Sequence, residues 1–399
     1  MQKKLIALAV AGLASTGAFA QSNVTVYGLL DLGLQHASAT GKDSVNKIGS
    51  MSSNLFGFKG TEDLGNGLSA GFTLEGGIAA DTGAGATVTT TGSKLFSRQS
   101  FLSLSSKTAG TVLVGRFNTF GRAASINASA TPLSGVDPIG LLAQTAGFSI
   151  SGNGIDADNT GGRISNGVGY VSPSFNGLTV GYAHSFAENV GPLAPTAATA
   201  ARNNNPSFTI NELWLGYKNG PLNVDYVYNN IGSVGVAAVG TTAATSTTAT
   251  LLAIGPIQEH FLGAEYDFGV VKLLASYQTR KTEATNTDKV TNIGASIPVS
   301  AAGKVGVSYA KLSMGSDLKG TAALGTAGIG FGATAATTLN DASGYAVSYM
   351  HALSKRTSAY TTYTRLKNDN NGTINAIGST TPLAGGSVSV FSLGMQHSF

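Results

Sequence analysis

The chain has 399 residues, of which 54 are glycine, none is cysteine and only 11% are charged. Soluble globular proteins carry about 25% charged residues, so much of this surface does not face bulk water, yet the mean hydropathy of +0.13 is too low for a bundle of apolar helices. The net charge of +4 falls to +2 without Lys3 and Lys4. A positive charge this small does not indicate a nucleic-acid-binding protein.

The first segment has the three parts of a secretory signal peptide. Lys3-Lys4 is a positive start, Leu5 to Leu13 is apolar, and Ala18-Phe19-Ala20 has the A-x-A form of a cleavage site. An anchor helix is the weaker alternative, because the apolar stretch is too short to span a membrane. We therefore expect a cleaved segment and one mature domain, residues 1–20 and 21–399.

From residue 23 onwards, stretches in which apolar residues alternate with polar or small ones are separated by turns. A period of two predicts β-strands. Seven turns are short and mostly contain glycine or asparagine, which supply the positive φ of tight hairpins. They lie near residues 62–67, 107–110, 175–177, 218–221, 267–269, 300–303 and 354–356. Eight mostly longer connections alternate with them, near residues 37–50, 81–93, 118–160, 188–206, 233–256, 283–286, 316–341 and 368–386.

Short turns at one end and long loops at the other are typical of a bacterial outer-membrane barrel. The connections predict an all-β fold, a transmembrane antiparallel β-barrel of sixteen strands with both termini in the periplasm. A soluble sandwich or an adhesin shows the same alternation but has no reason to sort its loops by length. The strands are expected near residues 23–36, 51–61, 68–80, 94–106, 111–117, 161–174, 178–187, 207–218, 221–232, 257–267, 270–282, 287–299, 304–315, 342–353, 357–367 and 387–399.

Alternation also assigns the two faces of each strand, because neighbouring side chains point in opposite directions. In residues 68–78 the apolar set faces lipid and Glu75 faces the lumen, since a carboxylate is costly in hydrocarbon. In the first strand the same argument places Tyr27 and Asp31 in the lumen. The small and polar inward set argues for a water-filled interior rather than a plugged or adhesive barrel.

The last strand ends on an aromatic residue after alternating apolar positions. Leu393, Met395 and Phe399 share one parity with Phe391 and His397. This ending resembles the signal by which the outer-membrane assembly machinery recognises barrels.

Four stretches carry a wider resemblance: residues 53–68 (SNLFGFKGTEDLGNGL), 95–99 (LFSRQ), 170–177 (YVSPSFNG) and 394–399 (GMQHSF). They resemble the general porins of Gram-negative bacteria, betaproteobacterial type, and the resemblance runs from the signal peptide to the last residue. It implies an outer-membrane barrel, a homotrimer, and a third extracellular loop folded into the pore as its constriction. The longest connection, 118–160, has the position of that loop, and loops of such length are usually functional.

Charged side chains at the narrowest ring set the selectivity of a diffusion pore. By parity, Arg98, Arg116 and Arg163 share the inward face of the fourth, fifth and sixth strands, since a guanidinium in lipid costs about 2–4 kcal/mol near the midplane. By resemblance they match the basic cluster of the family's constriction, and Lys59 shares their face nearer the periplasmic rim. Alternatively each arginine holds the folded loop in place by a salt bridge, and the two roles are compatible.

The loop that faces these arginines is poor in acid. From residue 118 to 155 it holds one carboxylate, Asp137, and one base, Arg122. The positive balance predicts a mild preference for anions. Leu55 stands where many relatives carry a basic residue, which removes one charge and limits that preference. Three inward carboxylates partly offset the arginines: Asp31, Glu75 and Glu265.

These features predict a channel for passive diffusion of small hydrophilic solutes and ions. A substrate-specific channel for a small anion or sugar is the nearest alternative, with Tyr27 and Tyr182 as lumenal aromatics. A barrel hydrolase or protease is disfavoured, because no histidine has a serine motif or a metal-ligand pattern beside it. No cofactor and no metal is implied. The expected partners are two further copies of the chain, outer-membrane lipids and lipopolysaccharide, the assembly machinery and the permeating solutes.

Overall fold

The computed structural model describes residues 23–85, 88–89, 92–93, 95–131, 135, 137–145, 148, 162–186, 209–232, 234–235, 253–254, 256–282, 287–315, 340–375 and 381–399. The expected signal peptide, residues 1–20, lies outside the described residues. Within them, no helix has both the length and the apolar character needed to cross a membrane.

Sixteen strands form one closed antiparallel sheet, because each strand pairs with the next and the last pairs with the first. Closure leaves no open sheet edge in the membrane, and the predicted barrel is confirmed. The strands are β1 (Asn23–Ala39), β2 (Leu55–Gly65), β3 (Leu68–Ala79), β4 (Gln99–Ser106), β5 (Gly110–Asn118), β6 (Arg163–Val171), β7 (Leu178–Ser185), β8 (Ile210–Asn219), β9 (Leu222–Ile231), β10 (Ile257–Asp267), β11 (Lys272–Thr282), β12 (Asp288–Pro298), β13 (Gly303–Ser313), β14 (Ala342–Ala352), β15 (Thr357–Asn368) and β16 (Ser387–Ser398).

The short turns follow the even-numbered strands, at the barrel end that also holds Asn23 and Phe399. Asn66 and Gly67 both have positive φ, 51° and 76°, as a two-residue hairpin turn requires. The long connections follow the odd-numbered strands at the opposite end, so the predicted sorting of loops is confirmed.

The first connection differs from the prediction of a long loop over 37–50. Residues 45–49 pair with the outer half of β1, and the ladder resumes only where Leu55 lies opposite Leu29. Because Gly33 lies opposite Gly49, residues 50–54 are an insertion that leaves the ladder. We call residues 50–54 the infolded segment.

Exposure confirms the faces assigned to the first, third and last strands, whereas Tyr182, the aromatic residue that the substrate-specific alternative places in the lumen, is 46% exposed on the outer face of β7. Leu102 and Leu104 are 67% and 48% exposed on the outside of β4, whereas Glu75 and Asp31 are buried. In β16, Leu393, Met395 and Phe399 are all about half exposed on the outside, 53%, 52% and 45%.

We call residues 119–162 loop 3, and its described residues, 119–131, 135, 137–145, 148 and 162, fold into the barrel as the resemblance implies. They contain the helices α1 (Phe120–Asn127) and α2 (Pro138–Thr145). Glycines on the inner wall permit a close approach: a Cβ atom on Gly294 would lie 2.5 Å from the Cβ of Ala130, and one on Gly306 would lie 2.5 Å from its carbonyl oxygen. Loop 3 therefore packs directly on the inner surface of β12 and β13.

Candidate functional site

Helix α1 is attached to the barrel wall at its first turn. Glu212 on β8 is fully buried, and its two carboxylate oxygens accept from the backbone N–H groups of Phe120 and Gly121, each at 2.9 Å. Thr119 caps the same turn by accepting from the N–H of Arg122 at 3.1 Å. A carboxylate at a helix N-terminus satisfies free N–H groups and interacts favourably with the helix dipole. The start of loop 3 is thereby held on β8.

A second set of contacts holds the rest of α1. The ring of Phe120 stacks on Trp214 of β8, with centroids 5.5 Å apart. Asp225 on β9 accepts from Trp214 Nε1 at 2.9 Å and from Asn127 Nδ2 at 3.1 Å. Asn292 on β12 donates to the carbonyl oxygen of Ala128 at 3.1 Å. The helix is thus held at both ends against the inner wall.

Asp137, expected to be a charge of the pore loop, is fully buried. Its carboxylate accepts from the hydroxyl of Ser129 and, at 3.1 Å, from the N–H of Ile139 in the first turn of α2. Burial raises the pKa of Asp137, although these hydrogen bonds act in the opposite direction. Asp137 therefore caps α2 and joins it to the segment after α1.

Glu75 is the centre of the predicted inward group on the neighbouring wall. Its Oε1 lies 2.7 Å from Nε of Arg98, in a salt bridge in which both side chains are 7% exposed. Its Oε2 accepts from the hydroxyl of Tyr27 at 2.9 Å. Lys59 extends this group, with Nζ 5.1 Å from the centre of the Tyr27 ring. The structure therefore brings together four of the residues selected from the sequence.

Arg98 also belongs to a cluster of like charges, with Arg116, Arg122 and Arg163, which we call the arginine cluster. The charges of Arg122, Arg98 and Arg116 all act on Arg163, with Glu75 as the opposing charge. Burial and the charge of Arg98 lower the pKa of Arg122 to about 10. Arg116 donates through Nε to the carbonyl oxygen of Ser97 at 2.6 Å, and also to the hydroxyl of Ser165.

Simple alternation does not explain how this cluster forms. Arg98 precedes β4, and the register between β5 and β6 shifts between Ile164 and Gly167. Gly115 has a φ of 130°, and Arg116 has the parity of Val114, which is 56% exposed on the outer face. The hydrogen bonds of Arg116 with Ser97 and Ser165, and not its parity in the strand, therefore show that it belongs to the arginine cluster. The ladder is irregular where the cluster forms.

The cluster lies between the wall and loop 3 rather than fully in solvent. Arg98, Arg122 and Arg163 are at most 6% exposed, and Arg116 is half-buried. Arg122 belongs to loop 3 itself, so the cluster places a charge of the loop beside the charges of the wall at β4 to β6. The salt bridge of Arg98 is made with Glu75 on β3 and not with loop 3, so the alternative in which the arginines hold the loop by salt bridges stays a prediction.

Asp31 also differs from the expectation of a free lumenal charge, because it is fully buried. Its oxygens accept from the N–H of Met51 at 3.0 Å and from the hydroxyl of Tyr360 at 2.5 Å.

The wall residues that bind α1, namely Glu212, Trp214 and Asp225, were missed by the sequence analysis. A carboxylate inside an otherwise apolar strand was the available signal for Glu212. Within the described part of the chain, no group of His, Asp and Glu side chains could hold a metal ion.

A family model described as Gram-negative porin matches residues 7–371. Outer membrane porin protein 32 of Delftia acidovorans is 31% identical over 383 residues, covering 94% of this chain and 92% of that protein. An outer membrane porin of Bordetella pertussis is 31% identical over 297 residues, 69% of each chain. A solved anion-selective porin from Comamonas acidovorans has a TM-score of 0.70 at 26% identity, over 95% of this chain and 100% of that one. The chain therefore belongs to the Gram-negative porin family, whose members are outer-membrane channels and not enzymes.

Proposed function

We propose that this porin mildly prefers anions, and that its narrowest section lies between loop 3 and the wall that carries the arginine cluster. The charge of the cluster is the observation that carries the proposal. Among the described residues, the charges of Arg98, Arg116 and Arg122 act together on Arg163, and the carboxylate of Glu75, paired with Arg98, opposes them. Charge at a constriction acts on every permeating ion, because the surrounding low dielectric screens it poorly.

The acids of the facing side support this assignment. Glu212 and Asp225 accept hydrogen bonds from backbone and side-chain donors of α1 and from Trp214, so both carboxylates face loop 3. Asp137 is buried within the loop. The solved relative from Comamonas acidovorans is described as anion-selective, which agrees with the proposal.

The reversal potential of the purified protein in a planar bilayer, measured under a KCl gradient, tests the proposal. We expect an anion-favouring potential that moves toward zero in Arg98→Gln/Arg116→Gln. Lys107→Gln/Arg356→Gln is the matched control, because both residues are exposed in turns at the periplasmic end. A cation-favouring wild type, or equal shifts in both variants, would contradict the assignment. Conductance that saturates with one sugar or anion would instead favour the substrate-specific channel.

A homotrimer is the assembly that we infer from membership of the family. Current steps that occur in threes in the same bilayer experiment would support it. Steps of a single size, with a monomeric mass in mild detergent, would contradict it.

Outer-membrane lipids are the partners that we propose for the outside of the barrel. Four exposed lysines stand at the loop ends of neighbouring strands, Lys281, Lys289, Lys311 and Lys367. The register places Ser343 between Lys311 and Lys367, above the half-exposed Tyr309 and Tyr345. The salt bridges of the described residues involve other cations. Ammonium and hydroxyl groups above aromatic rings suit the phosphates of lipopolysaccharide.

The amount of lipopolysaccharide that co-purifies with the protein tests this surface. We expect a loss when the four lysines are replaced by glutamine, and no loss in Lys107→Gln/Lys355→Gln at the periplasmic end. Equal lipopolysaccharide in both variants would contradict the proposal.

A further inference from the structure

The carboxylate of Asp31 binds the middle of the infolded segment. The ends of the segment are bound by Gln35, which donates to the Ser50 carbonyl oxygen at 3.2 Å, and by the N–H of Ile78, which donates to the Asn54 carbonyl oxygen at 3.1 Å. Asp31 accepts from the backbone N–H groups of Met51, at 3.0 Å, and of Ser52. The N–H of Asp31 in turn donates to Asn54 Oδ1 at 2.5 Å. Met51, in the middle of the segment, is 1% exposed. These bonds explain why five residues can leave a β-ladder and still hold one conformation.

Asp31 is itself fixed by strands that lie far away in the sequence. Its Oδ1 accepts from the hydroxyl of Tyr360 on β15 at 2.5 Å, and its Oδ2 lies 3.4 Å from Gln396 Nε2 on β16. The Tyr360 ring passes over Gly394, where a Cβ atom would lie 2.4 Å from the Tyr360 hydroxyl oxygen. Only glycine leaves room for this crossing, so β15, β16 and β1 all contribute to the position of the carboxylate.

The other side of the infolded segment meets loop 3. The carbonyl oxygen of Met51 accepts from the N–H of Gly135 at 2.8 Å, between α1 and α2. Elsewhere loop 3 is held by β8, β9, β12 and β13, as described above. The Gly135 bond therefore ties the same loop to the β1 side of the barrel, a separate part of the wall.

We propose that Asp31 is a positioning residue that fixes loop 3 through the infolded segment and so keeps the width of the channel constant. The proposal rests on the placement of the narrowest section beside loop 3. Ion flow depends steeply on the width of a constriction, and a loop released at one anchor fluctuates on the nanosecond to microsecond scale and more slowly. Asp31 touches no permeating ion and acts through Met51 and Gly135.

Single-channel recording of Asp31→Asn tests this role. The substitution keeps the size of the side chain but replaces one acceptor oxygen by an NH2 group, so the single remaining oxygen cannot accept both from Tyr360 and from the N–H groups of Met51 and Ser52. We expect open-channel current noise to rise about twofold or more and the spread of conductance to widen, because the loop samples several widths. Asp63→Asn is the matched control, since Asp63 lies exposed at the periplasmic end of β2, where it accepts from the N–H of Gly65. Equal noise in the wild type and Asp31→Asn would overturn the proposal.

A cross-link separates loop anchoring from general loosening of the barrel. The chain has no cysteine, so Met51→Cys/Gly135→Cys can be combined with Asp31→Asn without side reactions. Oxidation is expected to return the current noise to the wild-type level, and reduction is expected to raise it again to the level of Asp31→Asn. Noise that persists after complete cross-linking would overturn the route through Gly135.

Tyr360→Phe, which removes a single donor, replaces Asp31→Asn if that variant does not assemble. The open-channel current noise of Tyr360→Phe is then expected to rise, and the same cross-link is expected to lower it. A noise level equal to that of the wild type would overturn the proposal. The reversal potential reports the arginine cluster and the noise reports the anchor. Failure of the proposed anion preference can therefore be told apart from failure of the anchoring role.

Discussion

Trp214 of the barrel wall stacks on Phe120 of loop 3, with ring planes 16° apart and centroids separated by 5.5 Å. The chain contains a single tryptophan, so its fluorescence reports the docking of α1. We expect Phe120→Ala to move the emission to longer wavelength, because removing the stacked ring admits water to the indole. Phe268→Ala, in an exposed periplasmic turn, should leave the emission unchanged. An unshifted spectrum in Phe120→Ala would show that the stack does not shield the indole.

Glu212 makes the charged contact at the same end of the helix. Glu212→Gln keeps one acceptor for the first turn but removes the charge that faces the helix dipole, so docking should weaken by about 1 kcal/mol. The urea concentration at which the Trp214 emission shifts measures this loss. Glu265→Gln is the control, because Glu265 pairs with Lys272 and not with loop 3. A midpoint as high as that of the wild type would show that the charge contributes nothing.

Glu75 is the carboxylate that opposes the arginine cluster. Removing its charge should therefore shift the reversal potential in the direction opposite to that of the arginine substitutions. Glu75→Gln is expected to raise the preference for anions, seen as a larger reversal potential under the same KCl gradient. Asp267→Asn removes a carboxylate from an exposed turn, where it accepts from Gly269, and should leave the potential unchanged. A reversal potential that is unchanged in Glu75→Gln would place the cluster outside the ion path.

The burial of Asp137 leads us to expect that the docking of loop 3 on the barrel wall depends on pH. Because burial raises its pKa in the folded protein, the protonated form favours docking, and this contribution is complete below the unfolded value of about 3.9. The contribution is lost as the pH rises through the higher folded value. Docking should therefore weaken from acid to neutral pH in the wild type.

Asp137→Asn should remove that part of the pH dependence. The amide oxygen still accepts from Ile139, and no charge is buried at any pH. The urea midpoint of the Trp214 emission, followed across this range for both proteins, provides the measurement. Parallel pH profiles would contradict the assignment to Asp137.

Phe399 can act in barrel assembly in two ways, as a recognition signal and as part of barrel closure, and the two can be separated by experiment. Its backbone exchanges hydrogen bonds of 3.0 and 3.1 Å with Gly28, and closes the barrel. Phe399→Ala keeps these bonds and removes only the aromatic ring, so a loss of assembled barrel in cells combined with normal refolding in detergent would support the recognition signal. A deficit in detergent as well would assign the ring to barrel closure instead. Lys355→Ala, in an exposed turn, is the control.

The strands were predictable to within a few residues because their signals are local. Alternation needs only neighbouring residues, and turns such as Asn66-Gly67 carry their own conformational preference. The infolded segment was not predictable in this way, since Met51 and Asn54 continue the strand pattern in the sequence. Only the pairing of Leu29 with Leu55 shows that the ladder is interrupted there.

The sequence was sufficient to select charged residues such as Glu75 and Arg98, but not to predict which groups they contact. Glu75 and Arg98 were selected as inward charges, and their salt bridge joins them directly. Arg116 lies close enough for its charge to act on Arg163, but the irregular ladder at Gly115 does not support the parity argument that placed it there. Asp31 and Asp137 were counted as pore charges, and burial gives both of them structural partners instead.

The sequence by itself determined the membrane barrel, its sixteen strands, the faces of those strands and the family, because each depends on periodicity or on short motifs. The tertiary structure alone decided how loop 3 is held. That outcome depends on contacts such as Asp31 with Tyr360 and Glu212 with Phe120, which join residues far apart in the chain. No local pattern encodes such pairs, since burial and hydrogen-bonding partners exist only after the barrel has closed.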